Sequence, residues 1–201
     1  MPAPKTAPDT SAKIMDVAER LVQTRGFNGF SYADIARVLH ITKASLHYHF
    51  PTKAKLGERL VQRYRTSFLV ALDRIDEKFH EAGPKLRAYV EIYVTVLERN
   101  RMCLCGMLAA EYATLPKTMK DELRHFFDVN EAWLVEVLEH GRAKKEVSFA
   151  GPAVEYSRVL VAALEGAMLL ARSHGEFFRL RAAANHLLTD LGISAAEPVS
   201  A

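Results

Sequence analysis

The chain has 201 residues, of which 49% are hydrophobic and 25% charged, with a formal net charge of +3. That length and balance exclude a wholly disordered chain and allow a sizeable core in one or two domains. Two cysteines argue against a disulfide-built secreted scaffold. The longest apolar run, Val159 to Ala171, contains Glu165 and is too short to cross a bilayer.

The charge is unevenly placed. Residues 1–65 hold 11 Lys+Arg against 5 Asp+Glu, a balance of +6, and residues 66–201 hold 16 against 19, a balance of −3. A basic first third points to a polyanionic partner for that third, with uneven surface solvation as the alternative.

In chain order, the Pro/Ala-rich residues 1–10 are expected to form a disordered tail. They contain no apolar leader segment, so a cytoplasmic protein with no membrane partner is expected. Ile14, Val17, Ala18, Leu21 and Val22 recur at helical spacing. They predict a first helix ending near Gly26. Ser31 suits the N-cap of a short second helix carrying Ile35 and Val38–Leu39. Thr42 suits the cap of a third, which must stop near Phe50-Pro51 because proline cannot continue it. After Thr52 a long fourth helix is marked by Leu56, Leu60, Tyr64, Phe68, Leu72 and Ile75, with Gly83-Pro84 closing it. Further helices are expected from Pro84 to about Asn100, Met102 to about Ala113, Pro116 to about Lys144, Pro152 to about Ser173, and Glu176 to Leu191. Residues 194–201 read as a second tail. No strand pattern and no internal repeat is visible.

Two short helices joined by a tight turn and backed by a first helix make a helix-turn-helix arrangement. The fold class read from the sequence is therefore all-α: an N-terminal three-helix helix-turn-helix DNA-binding domain over residues 11–56, and a second helical domain over residues 57–193. In the third helix Leu46 and Phe50 point inward with Ile35. Lys43, Ala44, Ser45, His47 and Tyr48 share the opposite arc, with donors suited to phosphate oxygens and base edges. Lys53 and Lys55 extend the charge past Pro51. A solvated surface helix usually carries Glu as well as Lys, yet no acidic residue occurs from Ile35 to Leu56.

The stretch from Ile41 to Leu56, "ITKASLHYHFPTKAKL", resembles the signature of the tetracycline-repressor (TetR) family of bacterial transcriptional regulators. Gly26 to Ala36 is similar to that family's G-x-x-x-x-[ST]-x-x-x-I-A pattern. The resemblance covers roughly residues 10–60. It implies phosphate contact at Ser31, at the N-terminus of the second helix. It implies base-edge contact at Lys43, Ala44 and Ser45, backbone contact at His47, Tyr48, His49 and Lys53, and places Tyr32 and Thr42 in the same interface. The chain departs from the family in three places. Leu39-His40 stands where Ala-Gly is common, Ala44 where Gly is frequent, and His47 where Tyr is frequent. A histidine at position 47 would let DNA affinity respond to pH near neutrality.

Specific operators are normally read by symmetric pairs, so a homodimer is expected. The segment from Val159 to Ala171 is apolar nearly all round, and a helix buried on every side needs more partners than one small domain provides. Candidate dimer contacts are Leu160, Ala163, Leu164, Ala167 and Met168, joined by Phe177 and Leu187 of the last helix, where the resemblance also places them. A central core helix of a monomer is the alternative. The middle helices are rich in aromatic and soft side chains that could line an effector cavity: Phe68, Tyr89, Tyr93, Met107, Phe126, Trp133 and Met168. Candidate polar anchors are Glu111, Tyr112, Asn130, His125 and Glu165. The resemblance implies a small effector bound there that releases DNA, through the fourth helix that both halves share.

Cys103 and Cys105 lie two apart, so on a helix they face different ways and cannot pair without unwinding it. Packing is the simpler role. A thiol sensor of oxidants or electrophiles is the alternative. Metal binding lacks a His or Cys partner nearby in sequence, and neither metal nor cofactor is expected. An enzyme reading finds no phosphate-binding loop, G-x-S-x-G, H-E-x-x-H or dinucleotide fingerprint, so no catalytic residue is assigned. A purely protein-binding adaptor would leave the basic helix-turn-helix unexplained.

Overall fold

A computed structural model describes residues 10–194 of the chain. The expected tails fall outside the described residues, apart from Thr10, which opens the first helix, and Ser194. Among the described residues there are nine α-helices and no strand: α1 (Thr10–Arg25), α2 (Tyr32–Leu39), α3 (Lys43–His49), α4 (Lys53–Lys78), α5 (Ala82–Glu98), α6 (Leu104–Ala110), α7 (Lys117–Ala143), α8 (Ala153–His174) and α9 (Phe178–Asp190). A single 3-10 turn, Tyr112–Thr114, follows α6. It sits where one helix through Ala113 was expected.

The helices form two compact units, each drawn from two stretches of chain. One holds α1 to α3, α4 as far as Arg65, and residues 104–124; the other holds residues 66–103 and 125–194. The boundary expected after residue 56 follows the sequence, whereas these units do not, because α6 and the start of α7 pack with the N-terminal helices.

In the first unit α1 buries Ile14, Val17, Ala18, Leu21 and Val22, the five residues at helical spacing. α2 buries Tyr32 and Ile35. Val38, on the same helix, is 44% exposed. α3 buries Leu46 alone. Seven residues make a helix that is marginal in isolation, so α3 depends on its anchors. The Ser45 N–H donates to Thr42 Oγ1 at 3.1 Å. The buried Tyr32 hydroxyl donates to the Phe50 carbonyl at 2.7 Å, which ties the end of α3 to α2. Arg63 of α4 reaches back to Asp16 and Glu19 of α1, both at 2.7 Å.

The α2–α3 turn is closed by His40, whose backbone is left-handed at φ 54, ψ 40. The Ile41 N–H donates to the Ala36 carbonyl at 3.1 Å. Helices commonly end this way on glycine, so the turn is made without the glycine that would relieve it.

In the second unit α8 and α9 pack on each other and both pack on α5. Leu160, Leu164 and Met168 of α8 are fully buried in this unit, as are Leu180 and Ala184 of α9.

Candidate nucleic-acid interface and buried polar cluster

The outer arc of α3 is as open as its sequence suggests. Thr42, Lys43, Ala44 and His47 are exposed, Ser45 is half-buried, and Tyr48 is 83% exposed. His49 is half-buried with its ring edge-on to Tyr48 at 5.2 Å. The His47 ring lies 4.9 Å from that of Tyr32, tilted at 55° to it, and its Nδ1 lies 3.1 Å from the Pro51 carbonyl.

Three residues expected in this interface have other work. Tyr32 is buried, with its hydroxyl spent on Phe50, and burial pushes its pKa up to about 12. At Ser31 the hydroxyl and the N–H both donate to Asp34 Oδ2, at 2.7 and 2.8 Å. The Ser31 bonds hold the Asp34 carboxyl below its usual range, and this places a carboxylate at the α2 N-terminus, where a phosphate would otherwise be attracted. The ammonium of Lys53 points into the first unit. It donates to the carbonyls of Phe27 and Phe30, both at 2.5 Å. It also lies 4.6 and 4.2 Å from the ring centres of the same two residues. Burial lowers its pKa.

The α1–α2 loop held by Lys53 is gripped from the other side by Glu111. Its Oε2 accepts the Phe27 N–H at 2.6 Å, and the Asn28 N–H lies 3.3 Å from Oε1. Asn28 Nδ2 donates to Thr114 Oγ1 at 2.8 Å. Gly26, at φ +84, leaves room for this contact, since a Cβ there would stand 2.6 Å from Glu111 Oε1. Glu111 and Tyr112 therefore do not join an effector cluster. Tyr112 bonds the guanidinium of Arg124 instead and has Lys120 over its ring at 5.0 Å. Met107 lies in the same first unit.

The second unit does gather the other aromatic candidates. Phe68 contacts Tyr89 at 6.3 Å and Phe126 at 5.0 Å, and Tyr89 stacks on Trp133 at 5.6 Å. Within this apolar shell Tyr89, Tyr93 and Asn130 close a ring of hydrogen bonds. Tyr89 donates to Asn130 Oδ1 at 2.8 Å, and Asn130 Nδ2 donates to the Tyr93 hydroxyl at 3.3 Å. With the Tyr89 proton so used, the 3.1 Å contact between the two hydroxyls is donated by Tyr93. Burial raises both tyrosines well above their ordinary pKa. Glu165 of α8 adjoins the ring. Burial pushes its carboxyl up to about 7, against a hydrogen bond from the Cys103 thiol that lowers it. Its Oε1 is sealed from solvent without a hydrogen-bond partner.

Trp133 also walls a cleft of about 270 Å³ that includes Asp76, His80, Lys85, His140, Lys144 and Glu146. Its indole N–H donates to Asp76 Oδ2 at 2.8 Å, and Lys85 lies 2.6 Å from Oδ1 of the same carboxylate. No spacing in the sequence marks this cleft, because its residues come from three helices and two loops.

On α8 and α9 the exposed apolar residues are Val159, Leu169, Leu170, Phe177 and Phe178; Ala163, Ala167 and Leu187 are half-buried. Leu160, Leu164 and Met168, expected at a dimer surface, are core residues of the protomer. The helix is two-sided, not apolar-buried all round. Cys103 and Cys105 are both buried and form no disulfide. Among the described residues, no helix is long and apolar enough to cross a membrane, and no cluster of His, Cys, Asp or Glu is arranged to hold a metal ion.

A helix-turn-helix unit with an open basic and hydroxyl-bearing helix, joined to a helical unit enclosing a polar cluster, defines a one-chain DNA-binding regulator. Residues 14–60 match the family model for bacterial regulatory proteins of the tetR family, and residues 82–187 match that for the tetracyclin repressor-like C-terminal domain. The structure is similar to that of a TetR-family transcriptional regulator from Agrobacterium tumefaciens, with TM-score 0.88 and 33% identity over 90% of this chain and 96% of that one. A TetR regulator from Legionella pneumophila gives TM-score 0.83 and 28% identity over 92% and 99% of the two chains. In sequence the chain is 24% identical to the HTH-type transcriptional repressor NemR of Escherichia coli over 90% of this chain and 94% of that protein. The chain belongs to the TetR family of bacterial regulatory proteins, and it is a DNA-binding transcriptional regulator with a C-terminal ligand-binding domain.

Proposed function

We propose that the chain acts as a homodimeric repressor whose α3 lies in the major groove of an operator and whose grip is released by a small effector. The reading divides the chain by role, with residues 11–56 reading DNA and residues 57–193 binding effector and partner. The observation that carries it is the open arc of Lys43, Ala44, His47 and Tyr48, free of acidic neighbours on its own helix. The exposed apolar stripe of Val159, Leu169, Leu170 and Phe178 suits a two-fold interface with a second copy. No reaction is assigned to the chain.

Coupling has a covalent route. Cys103, bonded to Glu165, is followed directly by α6, and α6 leads to Glu111, which holds the α1–α2 loop. An effector that alters the Cys103–Glu165 contact would be felt by the head through the continuous chain from Cys103 to Glu111. The thiol-sensor alternative gains nothing from the cysteines, which are buried and out of reach of the solvent that serves reactive thiols.

The test is selection of bound genomic fragments by the purified protein, followed by footprinting. Two half-sites about one helical turn or a small multiple apart are expected, with log affinity falling steeply against log salt. Lys43→Ala combined with Tyr48→Ala should cost on the order of 100-fold in operator affinity; undiminished binding by that variant would falsify the assignment of α3.

A further inference from the structure

The polar groups of the second unit are unequally served. Tyr89, Tyr93 and Asn130 satisfy one another in a closed ring, so neither hydroxyl has a proton left for Glu165. The Glu165 carboxyl accepts a hydrogen bond from the Cys103 thiol, a weak donor. Its Oε1 is left buried and unbonded, and no cationic side chain among the described residues pairs with it. A carboxyl in that condition, close enough to Tyr89 and Tyr93 to act on both hydroxyls, lacks one thing: a donor that carries positive charge.

We propose that Glu165, with the aromatic shell around Tyr89 and Tyr93, is a recognition site for a small organic cation, a protonated amine carried on an apolar body. The ammonium donates to Glu165 Oε1 and faces the aromatic rings, and the apolar body lies against Phe68, Phe126 and Trp133. Such a pairing joins a charge-assisted hydrogen bond to a desolvated cation–π contact. An anion meets the carboxylate as a like charge. A neutral alcohol can fill one acceptor but compensates no charge. Entry runs past Trp133, which lines the 270 Å³ cleft, stacks on Tyr89 and is tethered by its hydrogen bond to Asp76.

This assignment rests on the effector reading above, and its test does not require DNA. Trp133 is the single tryptophan of the chain, so its fluorescence reports on the cluster directly. The full-length protein is titrated with benzylammonium, benzyl alcohol and benzoate, three probes sharing one ring and differing in charge, at about pH 8, where the carboxyl is ionised. Benzylammonium should give a saturable change and bind at least about tenfold more tightly than benzyl alcohol, with benzoate weakest. Glu165→Gln should bring benzylammonium down to the level of benzyl alcohol, which should bind both proteins alike. Equal binding of the three probes, a cation preference that survives in Glu165→Gln, or no saturable signal from any probe below about 10 mM overturns the proposal. If the variant melts below the assay temperature, the wild-type series decides by itself. A cation preference in a protein that binds no duplex would sink the regulator reading and leave this site standing; operator binding without cation preference would do the reverse.

Discussion

His40 holds the α2–α3 turn in a left-handed conformation that a side chain makes costly. His40→Gly should therefore stabilise the protein by about 0.5–1 kcal/mol, the relief of strain being partly offset by glycine's greater freedom in the unfolded chain. Thermal melting checks this, and a lower melting temperature would mean the imidazole makes contacts that outweigh the strain. Lys53 separates two roles cleanly. If its ammonium belongs to the loop carbonyls, Lys53→Ala lowers stability by about 1–3 kcal/mol and leaves the salt slope of operator binding unchanged. A slope reduced by about one unit would restore it to phosphate contact. Glu165 makes stability depend on pH. Its folded pKa is raised from 4.5 to about 7, so between those values the folded state holds a proton that the unfolded state has released. Stability must then fall as pH rises through this window, by about 3 kcal/mol in all. Glu165→Gln should abolish that fall, and parallel pH profiles for variant and wild type would contradict it.

Among the elements, α3 and α6 matter most for their anchors. α3 contributes one core side chain, so Leu46→Ala should cost about 2–5 kcal/mol and remove operator binding with it. The α6 segment carries Glu111, whose carboxylate holds the Phe27 and Asn28 N–H groups. Glu111→Ala should speed hydrogen exchange at those two amides and weaken operator binding, while probes of Trp133 fluorescence remain unaffected. Retained protection at both amides would show that Lys53 alone fixes the loop. These contacts were not legible in the sequence. Glu111 and Phe27 are 84 residues apart, and no periodicity connects a helix end to a loop at that separation.

At the level of assembly the deciding feature is the face of α8 and α9. Leu170 is 59% exposed and Phe178 65% exposed, large apolar groups that a stable soluble surface rarely gathers without a partner. Leu170→Asp should yield a monomer by sedimentation and lose the two-half-site footprint. A dimer that survives the change would move the interface elsewhere. From the apolar run alone the two faces of α8 could not be told apart. Leu160, Leu164 and Met168 fill the protomer, whereas Val159, Leu169 and Leu170 remain outside, and the direction of α5 and α9 settles which is which.

Local order was written into the chain. The spacing of Ile14, Val17, Ala18, Leu21 and Val22, the cap at Thr42 and the stop at Pro51 follow from backbone geometry within a few residues. They were enough to fix an all-helical fold and the arc of α3. The placement of Lys53 on a loop, of Glu111 against the same loop, and of Glu165 beside a closed ring of tyrosines and asparagine came from packing. Each joins residues brought close only when helices far apart in sequence bury a common core, and a side chain's burial, partners and charge state are properties of that packing.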